Sequence, residues 1–163
     1  MYLIAAADRN WAIGNGGKLL YSLPRDMKFF RETTQNSVVV MGRKTLESFP
    51  GGNPLKNRVN IVLTRNSNYQ KDGVITCQDA DKLEEILKDY NDKNIFVIGG
   101  EEIYRLLLPQ CTKAYITRVD AEAEADAFFP NLDEDAEWKI TETSETLNDN
   151  GIDFKFVTYE RKA

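Results

Sequence analysis

Two stretches of the chain, SVVVM (Ser37–Met41) and NIFVI (Asn94–Ile98), carry apolar residues at consecutive positions rather than alternate ones. A strand with one wet face alternates apolar and polar residues, so unbroken Val/Ile runs predict strands covered on both faces, as in a parallel sheet sandwiched by helices. Similar short runs, bounded by glycine or polar clusters, predict strands at about 2–8, 38–41, 59–63, 74–77, 94–98 and 113–119, with two late ones at about 137–145 and 152–161. Helices are predicted at about 23–34, 43–49, 79–91 and 101–108. This alternation predicts an α/β fold with a largely parallel central sheet, whose ligands bind beyond the carboxyl ends of strands. No repeat, linker or composition shift divides the 163 residues, so a single domain is expected.

The chain contains no histidine. That excludes a Ser-His-Asp or Cys-His nucleophile and the usual His-containing zinc sites, and no metal is expected. Acid–base work falls to carboxylates, tyrosine, lysine or water. A formal net charge of −5 argues against nucleic acid and anionic membrane surfaces as partners, because both require a concentrated positive field. Much of the acidity lies in DAEAEADAFFPNLDEDAE (Asp120–Glu137), which reads as a solvated surface segment. The start of the chain has no basic leader followed by an apolar run, and Cys77 and Cys111 lack metal-type spacing. Both cysteines read as small core residues of a protein in a reducing cytoplasm.

One helix carries an acid where it should be apolar. In LLYSLPRDMKFFRETT (Leu19–Thr34), Pro24 suits a first turn, where its missing N–H costs nothing, and Ser22 is the candidate N-cap. At about 100° per residue, Leu23, Met27 and Phe30 span an apolar arc about 60° wide, and Asp26 falls only about 40° from Phe30. Arg25, Lys28 and Arg31 fall on the far side, so this helix offers Asp26 no cation. Two readings stay open on these residues alone: an acid facing water, favoured by the helix macrodipole, or a half-buried carboxyl of raised pKa that marks a site.

The strand ends repeat a theme. VVVMGRKT ends its strand at Gly42 and opens a helix with Arg43, Lys44 and Thr45; NIVLTR ends with Leu63, Thr64 and Arg65; IFVIGGEEIY ends at Gly99 and Gly100. Backbone N–H groups, hydroxyls and cations at neighbouring strand ends suit an anionic dinucleotide. Glu101 and Glu102 pull the other way, since first-turn acids would repel a pyrophosphate. GNGGK (Gly14–Lys18) lacks P-loop spacing, and no G-x-G-x-x-G occurs. Gly14, Gly16 and Gly17 instead read as hinges of a mobile loop ahead of the Asp26 helix.

Along almost its whole length the chain resembles dihydrofolate reductase. The matching pieces are LIAAADRNWAIG, LPRDMKFFRETT, VVVMGRKTLESF, NRVNIVLTR, FVIGGEEIY, YITRVDAEAEAD and FFP, in the family's order. The resemblance implies an eight-stranded, mostly parallel sheet with four helices, and NADPH-dependent reduction of 7,8-dihydrofolate, with hydride transfer to C6 and protonation at N5. It implies a cytoplasmic monomer open to antifolate inhibitors. Asp26 then is the pterin-binding carboxylate, Thr117 the threonine hydrogen-bonded near it, and Arg58 the arginine for the substrate's glutamate carboxylate. Ile4, Ala5, Leu19, Phe30, Phe49, Leu55, Ile98 and Tyr104 are the remaining substrate-side positions.

On the cofactor side the resemblance implies Ala6, Ile13, Gly14, Asn15, Gly16, Gly17 and Lys18 from the first strand and loop. Gly42, Arg43, Lys44, Thr45, Leu63, Thr64 and Arg65 follow, with Arg43, Thr64 and Arg65 as the 2′-phosphate clamp. Gly99, Gly100, Glu101, Glu102, Ile103 and Tyr104 complete that side, Gly99 and Gly100 forming a cis link. Two departures stand out: Leu20 and Tyr21 replace the family's usual Pro-Trp, and Glu102 lies where some members carry a basic residue. Tyr21 keeps an aromatic face with a hydroxyl for water and joins Asp26 as a candidate catalytic residue. Two rivals are a pyrimidine reductase of riboflavin synthesis, which shares the fold and the NADPH site, and a non-catalytic pterin- or nucleotide-binding module. Asp26 within L-P-x-D, together with Arg58, argues against the reductase.

Overall fold

Val38, Val39, Val40 and Met41 have no exposed surface, so the unbroken apolar run is covered on both faces. In the computed structural model, which describes residues 1–163, the elements follow in the order β1 (Tyr2–Ala7), β2 (Ala12–Asn15), β3 (Lys18–Leu19), α1 (Pro24–Thr34), β4 (Val38–Gly42), α2 (Arg43–Glu47), β5 (Val59–Leu63), β6 (Val74–Cys77), α3 (Ala80–Leu87), β7 (Ile95–Gly99), α4 (Glu101–Leu107), β8 (Lys113–Val119), β9 (Ala127–Phe128), β10 (Trp138–Thr143), β11 (Leu147–Asp149) and β12 (Ile152–Arg161). The central sheet runs β10-β12-β8-β1-β7-β4-β5-β6, with β11 attached to β12. From β8 to β6 every pairing is parallel, and β12 and β10 close one edge antiparallel. The eight-stranded, mostly parallel sheet with four helices is therefore the observed architecture.

The helices are shorter than their apolar periodicity suggests. After α4 the chain tightens into a 3₁₀ turn at Leu108–Gln110, because Pro109 cannot donate the next helical hydrogen bond. A similar turn, Pro50–Gly52, follows α2. The short strands β2, β3 and β9 form a separate sheet, and β11 is a hairpin arm. None of these four was expected, since each is only two to four residues long and exists through its tertiary partner. Gly16 and Gly17, expected as hinges, are the two-residue turn between Asn15 and Lys18, with φ of 60° and 78°. That turn needs positive φ at both positions, which explains both glycines.

Leu3, Val40, Ile61, Val97 and Ile116 belong to one core cluster that also contains Cys77 and Cys111. Both cysteines are free and fully buried, as expected of small core residues, and burial pushes each thiol up to about 11. The acidic segment differs from its reading as a solvated surface segment: Phe129 and Leu132 within it are each 1% exposed and join the core, while most of its acids stay at the surface. No helix is long and apolar enough to cross a membrane.

Candidate active site

Asp26 projects from the first turn of α1 and is half-buried. No lysine or arginine pairs with it. Its partner is Thr117 of β8, whose hydroxyl donates to Oδ1 at 2.5 Å. Burial pushes the carboxyl above the ordinary aspartate value, Thr117 pulls it partly back, and the charge of Asp149 adds to the rise. Of the two readings of this acid, the half-buried one holds. Ser22 is not the N-cap: Leu23 occupies that position without a side-chain acceptor, and Asp149 accepts the Arg25 N–H at 2.9 Å instead. Met27 departs from the expected arc, being 55% exposed beside Asp26, while Phe29 stacks on Phe156 with centroids 4.5 Å apart.

β1 lies between β7 and β8 at the centre of the sheet, with Ala6 in register with Thr117. Ala5 and Ala6 remain partly exposed even in this central strand, so their small side chains leave the wall beside Asp26 open. Ile4 is 5% exposed, and its carbonyl accepts the Tyr104 hydroxyl at 2.7 Å. Burial and the nearby Asp26 raise the pKa of that phenol. Phe49, Leu55 and Ile98 pack together on Val39, Met41, Leu46 and Val62, so three of the expected substrate-side residues form one apolar surface. Phe30 is half-buried, and Leu19 is 79% exposed on β3.

Arg58 forms no ion pair; its guanidinium reaches only the Lys56 carbonyl, the Thr34 hydroxyl and Gln35. Burial and the neighbouring Arg31 lower its pKa, the mark of a cation short of anions. The residue that shapes this loop escaped the sequence reading. Asn60, 2% exposed, accepts the Leu55 N–H and donates to the Leu55 and Arg58 carbonyls. A lone Asn in an Asn-Ile-Val-Leu run was its only signal.

The ends of β7, β4 and β5 stand side by side, Met41 in register with Gly99 and Gly42 with Leu63. The Gly99–Gly100 peptide is cis. A Cβ on Gly99, whose φ is 136°, would lie 3.3 Å from the Thr45 hydroxyl, so α2 and this link close on each other only with glycine there. Lys44 and Arg65 form no ion pair, while Arg43 holds Glu47 at 2.7 Å. The Thr64 hydroxyl accepts the Asn66 N–H at 3.2 Å. The Glu101 carboxylate accepts the Phe128 N–H at 2.8 Å and ties α4 to β9. Its presence in the first turn is thus structural. Glu102 is exposed, Ile103 packs within 3.2 Å of where a Gly42 Cβ would lie, and Leu63 is 6% exposed. Backbone approach, unpaired cations and hydroxyls at adjoining strand ends fit a phosphorylated dinucleotide.

The loop sheet borders both regions. Asp126 accepts the Gly16 N–H at 3.0 Å, and Asn15 donates to the Glu124 carbonyl. Ile13 and Gly14 are half-buried in β2, and Lys18 is exposed. Tyr21 donates its hydroxyl to Oδ2 of the fully buried Asp8 at 2.9 Å. Its proton is therefore committed inward, and only the oxygen's acceptor side is left for water. A groove of about 420 Å³ is lined by Phe29, Tyr115, Glu142 and Phe156, and neither Asp26 nor any of the three strand ends contributes to it.

The dihydrofolate reductase family model matches residues 1–161. The dihydrofolate reductase of Bacillus subtilis is 36% identical over 162 residues, covering 98% of this chain and 93% of the relative. A bifunctional dihydrofolate reductase-thymidylate synthase of Arabidopsis thaliana is 35% identical over 176 residues; the chain spans only 31% of that relative's length. A dihydrofolate reductase structure from Enterococcus faecalis, complexed with NADP(H) and RAB-propyl, superposes with a TM-score of 0.86 at 36% identity, covering 99% of this chain and 96% of that one. With the Asp26–Thr117 pair and the three adjoining strand ends in place, these matches identify the chain as a member of the dihydrofolate reductase family.

Proposed function

We propose that this protein reduces 7,8-dihydrofolate to tetrahydrofolate with NADPH. The observation that carries the reading is the half-buried Asp26, partnered by a threonine hydroxyl and by no cation. A pterin's 2-amino group and N3–H are parallel donors that a carboxylate accepts as a fork. Ala5 and Ala6 leave room for the flat ring, Phe30 and the Phe49–Leu55–Ile98 surface cover its apolar extension, and Arg58 receives a glutamate carboxylate. Arg43, Thr64 and Arg65 would hold the 2′-phosphate, with Lys44 and Thr45 on the neighbouring phosphates and Gly99–Gly100 admitting the backbone close to them.

NADPH, when bound, supplies the hydride. The chain's own part is orientation and electrostatics. Asp26 grips the pyrimidine edge of the pterin, far from N5, so the N5 proton arrives through water while the carboxylate supports the cationic ring. Tyr21, its hydroxyl spent on Asp8, positions the loop over the cleft. The protein works as a monomer in the cytoplasm, consistent with two isolated, buried thiols. Following NADPH oxidation with dihydrofolate, then with a pyrimidine ribosylamine, then with NADH in place of NADPH tests this. Oxidation with the ribosylamine alone would make it a pyrimidine reductase, and binding without oxidation a non-catalytic module.

A further inference from the structure

The helix that carries Asp26 has no cap of its own, and the acceptor it lacks comes from 124 positions downstream. Asp149, at the end of β11, accepts the Arg25 N–H at Oδ2 (2.9 Å) and Arg25 Nε at Oδ1 (2.7 Å). Arg25 Nη2 donates to the Asn148 carbonyl at 2.7 Å, and Asn150 Nδ2 to the Ser22 carbonyl at 3.2 Å. The Asp149 side chain is only 10% exposed, against 51% for Arg25. The β11–β12 hairpin thus clamps the first turn of α1 from outside.

Arg25 is the chain neighbour of Asp26, and the helical period that sets it on the far side is reinforced by the hairpin. The Arg25 guanidinium donates to the Asp149 carboxylate and to the Asn148 carbonyl, and these two bonds keep it turned toward the hairpin. The other groups acting on Asp26 are neutral donors or phenols: the Thr117 hydroxyl from β8 and Tyr104 from α4. On its own helix, Lys28 faces Glu32 at 3.9 Å. We propose that Asp149 is a positioning residue for the pterin-gripping carboxylate: it fixes the first turn of α1 and sequesters Arg25, so that Asp26 meets its ligand free of any cation. The inference rests on the role given to Asp26 above. Its electrostatics agree, since the charge of Asp149 helps to raise the Asp26 carboxyl.

The test uses the ligand-free protein and three variants: Asp149→Asn, which keeps an acceptor for the Arg25 N–H, Arg25→Gln, and the double variant. Carbon-13 NMR titration of Asp26 reads its protonation directly, and fluorescence quenching reads dihydrofolate affinity. In Asp149→Asn the Asp26 midpoint moves down, and the dihydrofolate Kd rises about fivefold, the scale of a lost helix cap or adjacent charge. In the Arg25→Gln background the same substitution costs less than half as much affinity, because no guanidinium is released. An unchanged midpoint and Kd alongside a lowered Tm would make Asp149 a fold cap only. Equal affinity losses in both backgrounds would overturn sequestration. Failure of the wild type to bind dihydrofolate would refute the pterin reading instead, with the Asp26 titration still interpretable.

Discussion

The Thr117 hydroxyl donates to Asp26 across the gap between β8 and α1, and it is the one side-chain partner that carboxylate has. A hydrogen bond to the charged form favours that form, so the contact lowers a pKa that burial raises. Thr117→Val keeps the shape and removes the donor. The Asp26 midpoint in the ligand-free protein then moves up. With less carboxylate at neutral pH and a poorer grip, the KM for dihydrofolate rises about tenfold, the lower end for a bond to a charged group. A downward or absent shift would show that the bond does not stabilise the charge.

Asp26 itself predicts a conflict between stability and activity. Its folded pKa lies above its unfolded one, so the folded state holds the proton more tightly. The resulting stability is fully present below the unfolded value of about 3.9 and is lost as pH rises through the folded pKa. Asp26→Asn carries no such penalty and still offers Thr117 an acceptor. It should melt above wild type at pH 7, each kcal/mol being worth about 2–4 °C in a chain this size, and converge with wild type near pH 4. Turnover at pH 7 should fall by about 10²-fold or more. A variant that is no more stable at pH 7, or is fully active, contradicts the assignment.

The parallel sheet was legible because Val38–Met41 and Asn94–Ile98 announce burial on both faces without reference to anything distant. The Asp26 anomaly was legible for a similar reason: helical period alone showed an acid beside Phe30 with no cation in reach. What stayed hidden were pairings whose partner lies far along the chain and that no family resemblance named. β9 pairs β2, Asp149 caps α1 and Glu101 binds the Phe128 N–H, and none of these leaves a local pattern. In the sequence Glu101 shows only as a first-turn acid; the Phe128 N–H that it binds leaves no trace there. Asn60 was likewise invisible as a brace until Leu55 and Arg58 folded back over it.

Arg43 reaches the strand-end cluster already paired with Glu47, at 2.7 and 3.3 Å. A 2′-phosphate must share or displace that partner, whereas Arg65 has none to displace. An exposed i,i+4 pair is worth only about 0.3–0.5 kcal/mol, so Glu47→Gln should lower the KM for NADPH about twofold and leave that for NADH unchanged. Arg65→Ala removes a charge-assisted contact and should raise the KM for NADPH about tenfold, again sparing NADH. Parallel changes with both cofactors would place these residues away from the 2′-phosphate.

Tyr21 donates its hydroxyl to Asp8, and its value lies in that contact. Asp8 is fully buried; its Oδ1 takes the Asn10 and Ala12 N–H groups at 2.9 and 3.0 Å, and its Oδ2 takes only the phenol. Tyr21→Phe leaves that second oxygen unsatisfied. The cost is about 1–3 kcal/mol, which lowers Tm by about 2–12 °C at this chain length. Burial, and then Asp8, push the phenol up to about 12, so it stays protonated through the physiological range. Tyr21 therefore contributes no limb to the wild-type rate profile below about pH 11, where a phenol of ordinary pKa near 10 would. If Tyr21→Phe melts like wild type, or if the wild-type profile turns over near pH 10 and the variant's does not, the hydroxyl is a titrating catalytic group rather than the latch that holds the loop to the end of β1.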